Sequence, residues 1–210
     1  MPTVEHRRPS KKQAISAVAA AYKIPCPLSF TLSRIPDELS SSSSVNVKCC
    51  KPSELSHELL SELFELLRNN MKALYEQSSW KWNESKKWSE TFSTKSWLLL
   101  CYASVENSTT QLAGFVSFRF EVEMNDAVLY CYEIHLKPKF RGISLGQYLI
   151  NLLTKIAAST GMQRVLLTVF KANKPAVKFF LKCGFAIDKT DPSNFPDCDA
   201  VDYQIMYKLP

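Results

Sequence analysis

Residues 128–153 read VLYCYEIHLKPKFRGISLGQYLINLL: a strand, a proline-bearing turn and the start of a helix in direct succession. The run to Leu136 is apolar and rich in aromatic and branched residues, as a largely buried strand requires. From Leu145 the apolar residues fall instead at helical spacing, through Leu149, Leu152, Leu153 and Ile156, towards a stop at Gly161. Two of the chain's five glycines, Gly142 and Gly146, lie at the junction. Glycine costs about 1 kcal/mol against alanine inside a helix, so its use here predicts a sharp turn or a close approach of the backbone. A helix N-terminus offers unpaired N–H donors and roughly half a positive charge, which suits a phosphate or pyrophosphate, and Arg141 adds a full charge. Taken alone, two glycines and an arginine equally mark an ordinary strand-to-helix turn.

Upstream, WLLLCYAS (97–104), QLAGFVSFRFEVE (111–123) and VLYCYEIHL (128–136) are strand-like, separated by the loop VENSTT and a turn at Asn125-Asp126, and predict an antiparallel meander. In the middle strand Val116, Phe118, Phe120 and Val122 share one face, and Ser117, Arg119, Glu121 and Glu123 the other. Leu55, Leu59, Leu63, Leu66 and Leu67 predict a long helix that starts near Pro52-Ser53 and breaks near Asn69-Asn70, after a short strand VNVKCC (45–50). Downstream come the apolar strand RVLLTVF (164–170), a helix over NKPAVKFFLKCG stopped by Gly184, and short strands in FAID and VDYQIMYKL. This is a mixed α/β order without internal repeat.

The chain has 210 residues, 46% of them hydrophobic, enough for one sizeable core. We expect a folded domain over 45–210, preceded by a basic N-terminal segment and serine-rich link over 1–44, which includes a short helix over AISAVAAAY (14–22). No run reaches the roughly 18 apolar residues of a spanning helix, and MPTVEHRRPSKK lacks a signal-peptide core, so a soluble intracellular protein with no membrane partner is expected, in cytoplasm and nucleus. The seven cysteines (26, 49, 50, 101, 131, 183, 198) contain no CxxC pair and read as reduced, mostly buried thiols. Much of the net charge of +6 sits in residues 1–25, where Arg7, Arg8, Lys11, Lys12 and Lys23 face only Glu5. RRPSKK (7–12) reads as a nuclear-import or anion-binding patch, or as a solvated terminus. Nucleic-acid binding by this tail would show a steep salt dependence that vanishes with the tail; no obligate nucleic-acid partner is expected.

RGISLG (141–146) resembles the R/Q-x-x-G-x-G/A acyl-CoA loop of the GNAT N-acetyltransferase superfamily, and FKANKPAVKFFLKCGF (170–185) is similar to that family's second signature. The resemblance covers roughly residues 45–209. It implies the GNAT fold, an α/β mixed sheet with mainly antiparallel N-terminal strands and then a parallel pair at the cofactor site, with acetyl-CoA as co-substrate. It implies cofactor contacts at Ile134, His135 and Leu136, at Arg141, Gly142, Ile143, Ser144, Leu145, Gly146 and Gln147, and at Asn173, which otherwise reads as a helix cap. Ser144 stands where the family usually has its first glycine; it still supplies an N–H. LYEQSSWKW, FRFEVE, LYCYEIHL, LTVFKAN and VDYQI together resemble the N-terminal acetyltransferase D type. That narrower resemblance implies acetylation of the α-amine of histone-four and histone-two-A tails, which begin Ser-Gly-Arg-Gly, by a monomer without auxiliary subunit. It implies substrate contacts at Tyr75, Trp80, Glu121, Glu123, Tyr132, Thr168, Thr190 and Tyr203.

Acetyl transfer to an amine needs the neutral amine, and about a tenth or more of a peptide α-amine, pKa near 7.7–8.0, is neutral at pH 7. Glu133, in a mostly apolar strand, is the expected base, directly or through water, with desolvation expected to raise its pKa. Tyr132 is expected to hydrogen-bond the amine or relay a proton, and Tyr130 to shape the pocket or simply pack. In a regular strand both tyrosines face away from Glu133, so a bulge is required if all three serve one site. Glu121 and Glu123 read as a solvated strand face or, in the family reading, as partners of an incoming cation. Trp82, Trp88 and Trp97 read as packing. His135 lacks partners at metal-ligand spacing, so no metal is predicted, and Cys131 reads as a buried thiol. Two readings stand beside the first: a lysine or small-amine acetyltransferase of the same fold, and a non-catalytic module that holds basic tails.

Overall fold

The alternating segments form the expected strands: β1 (Val45–Cys50), β2 (Trp97–Ala103), β3 (Gln111–Glu123), β4 (Asp126–Leu136), β5 (Arg164–Phe170), β6 (Ala186–Ile187) and β7 (Tyr203–Lys208). They make one sheet in the order β1-β2-β3-β4-β5-β7-β6. The helices are α1 (Lys11–Ala21), α2 (His57–Gln77), α3 (Glu84–Thr91), α4 (Leu145–Ser159) and α5 (Lys174–Lys182). The computed structural model describes residues 10–30, 45–104, 109–196 and 201–210; Arg7, Arg8, the serines 40–44, most of VENSTT and Cys198 lie outside them. No helix among the described residues is long and apolar enough to cross a membrane.

Most pairings are antiparallel, and only β4 and β5 run parallel, joined by α4 as a crossover. This is the mixed sheet expected, with the parallel pair in the predicted place. The β3–β4 hairpin turns on Met124 (φ 44°) and Asn125 (φ 68°), while Asp126 already pairs with Glu123, so the turn lies one residue earlier than Asn125-Asp126. Two successive positive φ values are those of a type I′ turn, which matches the strand twist.

One sheet face presents Val116, Phe118, Phe120, Leu129 and Cys131 to Leu145, Leu149, Leu153 and Ile156 of α4, with Ala14 and Ala21 of α1 and Phe180 of α5 in the same cluster. The other presents Leu98, Leu100 and Phe115 to Leu63, Leu66 and Leu67 of α2. The start of α2 corrects the expectation: Pro52-Ser53 opens a separate 3-10 turn, and the helix begins after Ser56, whose side chain accepts from the Leu59 N–H. Nor does it break at Asn69-Asn70, where packing on the sheet overrides the weak helix propensity of asparagine. Helix α1 is tied to the sheet through Tyr22, whose hydroxyl accepts from the Phe120 N–H at 3.3 Å. Lys51 lies over both the Tyr22 and Trp97 rings. The six described cysteines are free thiols.

Gly114 on β3 leaves no room for a side chain, since a Cβ there would lie 2.1 Å from the His135 carbonyl oxygen. Gly114→Ala is therefore expected to cost about 3 kcal/mol by forcing β3 from β4, measured as a lower urea midpoint at unchanged m-value.

Candidate active site

The site begins with an irregularity in β4. Arg119 pairs with Tyr130 and Phe118 with Cys131, but Ser117 pairs with Glu133, so Tyr132 is an extra residue facing no partner. A one-residue bulge reverses the alternation beyond it. Tyr130 and Glu133, opposite in register to Arg119 and Ser117, consequently share a face, which resolves the conflict that a regular strand would have left. Tyr132 leans the same way: its ring centroid lies 5.1 Å from that of Tyr130, and its hydroxyl donates to Glu121 Oε1 at 2.8 Å.

Just beyond the bulge β4 also leaves its parallel neighbour. Pairing with β5 stops at Cys131 and Leu167, while β4 continues along β3 to Leu136 and β5 along β7 to Phe170. A cavity of about 1060 Å³ opens between the diverging ends. Of the residues singled out in the sequence, Tyr75, Trp80, Glu121, Glu123, Tyr130, Tyr132, Glu133, Ile134, His135, Leu136, Arg141, Gly142, Ser144, Gly146, Gln147, Thr168 and Asn173 line it. Four stand apart from that lining. Leu145 is buried in the core, Ile143 is exposed, the Thr190 hydroxyl donates to Asp188, and Tyr203 packs on Trp80 at 4.8 Å.

One end of the cavity is built for an anion. Gly142 (φ 77°) and Ser144 (φ 62°) adopt left-handed backbone conformations that aim the loop into α4, and a Cβ at Gly142 would meet nothing within 4 Å. Ser144 thus occupies a conformation in which glycine is strongly preferred, the physical reason that a glycine is usual there. The side chain of Gly146 is absent where the Phe179 ring of α5 presses close, since a Cβ would lie 3.0 Å away. Asn173 is both a cap and a cavity residue, with its side chain accepting from the Ala176 N–H at 3.3 Å.

The other end is acidic and aromatic. Tyr130 and Thr168 share a hydrogen bond of 2.5 Å across the two strands. Glu123 has no ion-pair partner among the described residues; burial and the neighbouring Glu121 raise its pKa. Tyr75, Trp80, Phe170 and Tyr203 form a wall of rings with centroids 4.8–5.5 Å apart between neighbours. The loop carrying Trp80 is held by Ser79, whose N–H donates to Asp202.

Between the two ends sits Glu133, with a surrounding that the sequence did not disclose. Its Oε1 lies 2.6 Å from Lys87 Nζ and its Oε2 2.7 Å from His135 Nε2. Burial alone would raise its pKa, but the Lys87 charge and the His135 hydrogen bond outweigh burial and lower it to about 2. The expectation of a raised pKa is corrected: the Glu133 pKa is lowered, and the group is a carboxylate near neutrality. Lys87 itself, buried on α3 and also 2.6 Å from Glu90, is held protonated because Glu133, Tyr75 and Glu90 overcome its desolvation. Burial raises the hydroxyl of Tyr130 to about 12 and moves that of Tyr132 upward too, so neither is ionised near neutrality. In ESKKWSET Lys87 reads as a solvated helix charge, and no local signal separates it from Lys86. Among the described residues no cluster of His, Cys, Asp and Glu could hold a metal ion.

Residues 60–185 match the family described as Acetyltransferase (GNAT) family. Solved structures agree in fold. The chain is 12% identical to Arabidopsis thaliana NAA60 in complex with a bisubstrate analogue (TM-score 0.57, covering 80% of this chain and 99% of that one). It is 19% identical to Arabidopsis thaliana Naa50 in complex with the bisubstrate analogue CoA-Ac-MVNAL (0.51, 78% and 99%). It is 20% identical to the PaiA N-acetyltransferase of Thermoplasma acidophilum in complex with coenzyme A (0.53, 80% and 99%).

Lys87→Met deprives the buried Glu133 of its nearest cation and is expected to lower stability by about 3 kcal/mol at pH 7. In the parent, the depressed Glu133 keeps its contribution above the ordinary value of 4.5 and loses it only as pH falls towards about 2. In the variant burial dominates and the folded pKa lies above the unfolded one, so its deficit narrows as the pH is lowered from 7 to 5, which urea titrations at both values check. Ser144→Gly relieves the left-handed backbone and is expected to raise stability by about 0.5 kcal/mol with ligand binding intact.

Proposed function

The chain belongs to the acetyltransferase (GNAT) family, and from that premise we propose that it transfers acetyl from acetyl-CoA to the N-terminal α-amine of a basic peptide, with the Ser-Gly-Arg-Gly start of histone-four and histone-two-A tails as substrate. The observation that carries this reading is the polarity of the cavity. Its loop end, with Arg141 and the α4 N-terminus, suits the anionic half of acetyl-CoA, while its far end holds Glu121 and the unpaired Glu123.

The residues present fit acetyl-CoA: the open Gly142, the close packing at Gly146 and the parting of β4 from β5 leave a slot beside the Ile134–Leu136 backbone. When bound, acetyl-CoA supplies the activated acetyl group for direct attack in a ternary complex. The protein's part is to select the neutral fraction of an α-amine and hold it. Glu133, lowered to about 2 and so ionised near neutrality, accepts a hydrogen bond from the amine directly or through water and offsets the positive charge that develops on its nitrogen as the bond forms, the proton leaving through that water to solvent. The protonated hydroxyls of Tyr130 and Tyr132 orient the amine, and Glu123 receives the cation of the third residue. The Naa50 relative lends support, because the bisubstrate analogue in its complex, CoA-Ac-MVNAL, joins coenzyme A through an acetyl group to a peptide. We place the enzyme in cytoplasm and nucleus, acting as a monomer.

The test is CoA release with acetyl-CoA and the peptide SGRGK, free or blocked at its α-amine. Turnover of the free peptide alone is expected; equal turnover of both would move the assignment to lysine side chains, and turnover of neither would remove the histone-tail substrate. Glu123→Gln is expected to raise the peptide KM about tenfold, the loss of one charge-assisted contact, with the acetyl-CoA KM unchanged.

A further inference from the structure

Asn70 lies on α2, facing the cavity, at the point where the sequence predicted a helix break. Its side chain is used twice. Arg141 Nη2 donates to Asn70 Oδ1 at 2.7 Å, and Asn70 Nδ2 faces His135 Nδ1 at 3.5 Å. His135 Nε2 in turn meets Glu133 Oε2. The direction of this chain follows from both of its ends. An arginine only donates, so the amide must turn its oxygen to Arg141 and its NH₂ to His135. An ionised carboxylate only accepts, so His135 must carry a proton on Nε2, and the Asn70 NH₂ that faces Nδ1 needs that nitrogen bare to accept from it. The two requirements agree at the Asn70–His135 contact.

We propose that Asn70 is a positioning residue shared by the two ends of the reaction: it fixes the Arg141 guanidinium for the anionic cofactor and fixes the His135 tautomer that holds Glu133. Arg141 is otherwise an exposed side chain, anchored by Nε to the Leu136 carbonyl at 3.1 Å. The two anchors use two of its five N–H donors and leave three for a ligand. Holding a long side chain in its bound orientation lowers the entropy lost on binding. A leucine at position 70 would match the amide in shape but could neither accept nor donate. The opposite His135 tautomer would set a bare nitrogen against the Glu133 carboxylate, two acceptors face to face.

The proposal rests on the acetyl-transfer reading but not on the identity of the amine. Asn70→Leu is expected to raise the acetyl-CoA KM about tenfold and to lower kcat about tenfold, one hydrogen bond's worth on each side. The deciding measurement is the pair of double variants. With Arg141→Ala already present, Asn70→Leu should add nothing to the acetyl-CoA KM; with His135→Leu already present, it should add nothing to kcat. Full additivity in either background would overturn the shared role and leave Asn70 as a structural helix residue. His135→Gln, whose amide can both donate and accept, should retain most of the kcat that His135→Leu loses. Where Asn70→Leu does not fold, the ring ¹⁵N shifts of His135 in the wild-type protein decide: protonation at Nε2 with Nδ1 bare is required, and the opposite tautomer ends the proposal. Should the wild type bind acetyl-CoA but turn over no amine, the functional reading falls separately, and calorimetric affinity for acetyl-CoA takes the place of KM.

Discussion

A strand shows alternate side chains to alternate faces, and Tyr130, Tyr132 and Glu133 can meet in one cavity only if β4 breaks that rule once. The unpaired Tyr132 is the break. Its consequences extend in both directions along the strand. Before it, Leu129 and Cys131 face the α4 side of the sheet; after it, Ile134 and Leu136 take over that face while Glu133 and His135 turn to α2 and α3. The loss of pairing with β5 begins at the same place, so the bulge both groups the polar residues and opens the space they line.

Turning Glu133 inward creates a demand that other elements meet. A carboxylate 5% exposed is strongly disfavoured unless paired, and α3 answers with Lys87 while β4 itself answers with His135. The outcome is a site whose charge is set in advance. A carboxyl poised near neutrality would change its charge with modest shifts of pH; this one does not, and on the proposed reading what varies instead is the protonation of the incoming amine. Catalysis of this kind depends on presenting fixed charges and dipoles to the reacting group, without reorganisation at the moment of reaction.

Element positions were largely legible because periodicity reports burial directly. β5 and the buried stripe of α4 follow from apolar spacing alone. What stayed hidden depended on partners distant in the chain. No local feature of LYCYEIHL says which β3 residue Glu133 will face, so the bulge was inferred only as a requirement. Lys87 looks like any helix-surface lysine until α3 is laid across the outer face of β4. Asn70 misled for a related reason, since asparagine is a poor helix former and its value here lies in a histidine 65 residues away. Ser144 was visible as an oddity, and the backbone angle supplies its meaning.

The parallel pairing of β4 with β5 spans only four residue pairs, from Val128 with Arg164 to Cys131 with Leu167. With α4 and side-chain contacts such as Tyr130–Thr168, this short ladder forms the seam between the β1–β4 half of the sheet and the β5–β7 half. A ligand lodged past its end touches both halves at once and acts as a rivet across that seam. Occupancy and cohesion are then one thermodynamic quantity: at a free concentration a hundred times the Kd, such a ligand adds about 2.7 kcal/mol to the folded state. On the proposed reading, the gap that holds acetyl-CoA also makes the protein's resistance to unfolding follow the supply of the molecule it consumes.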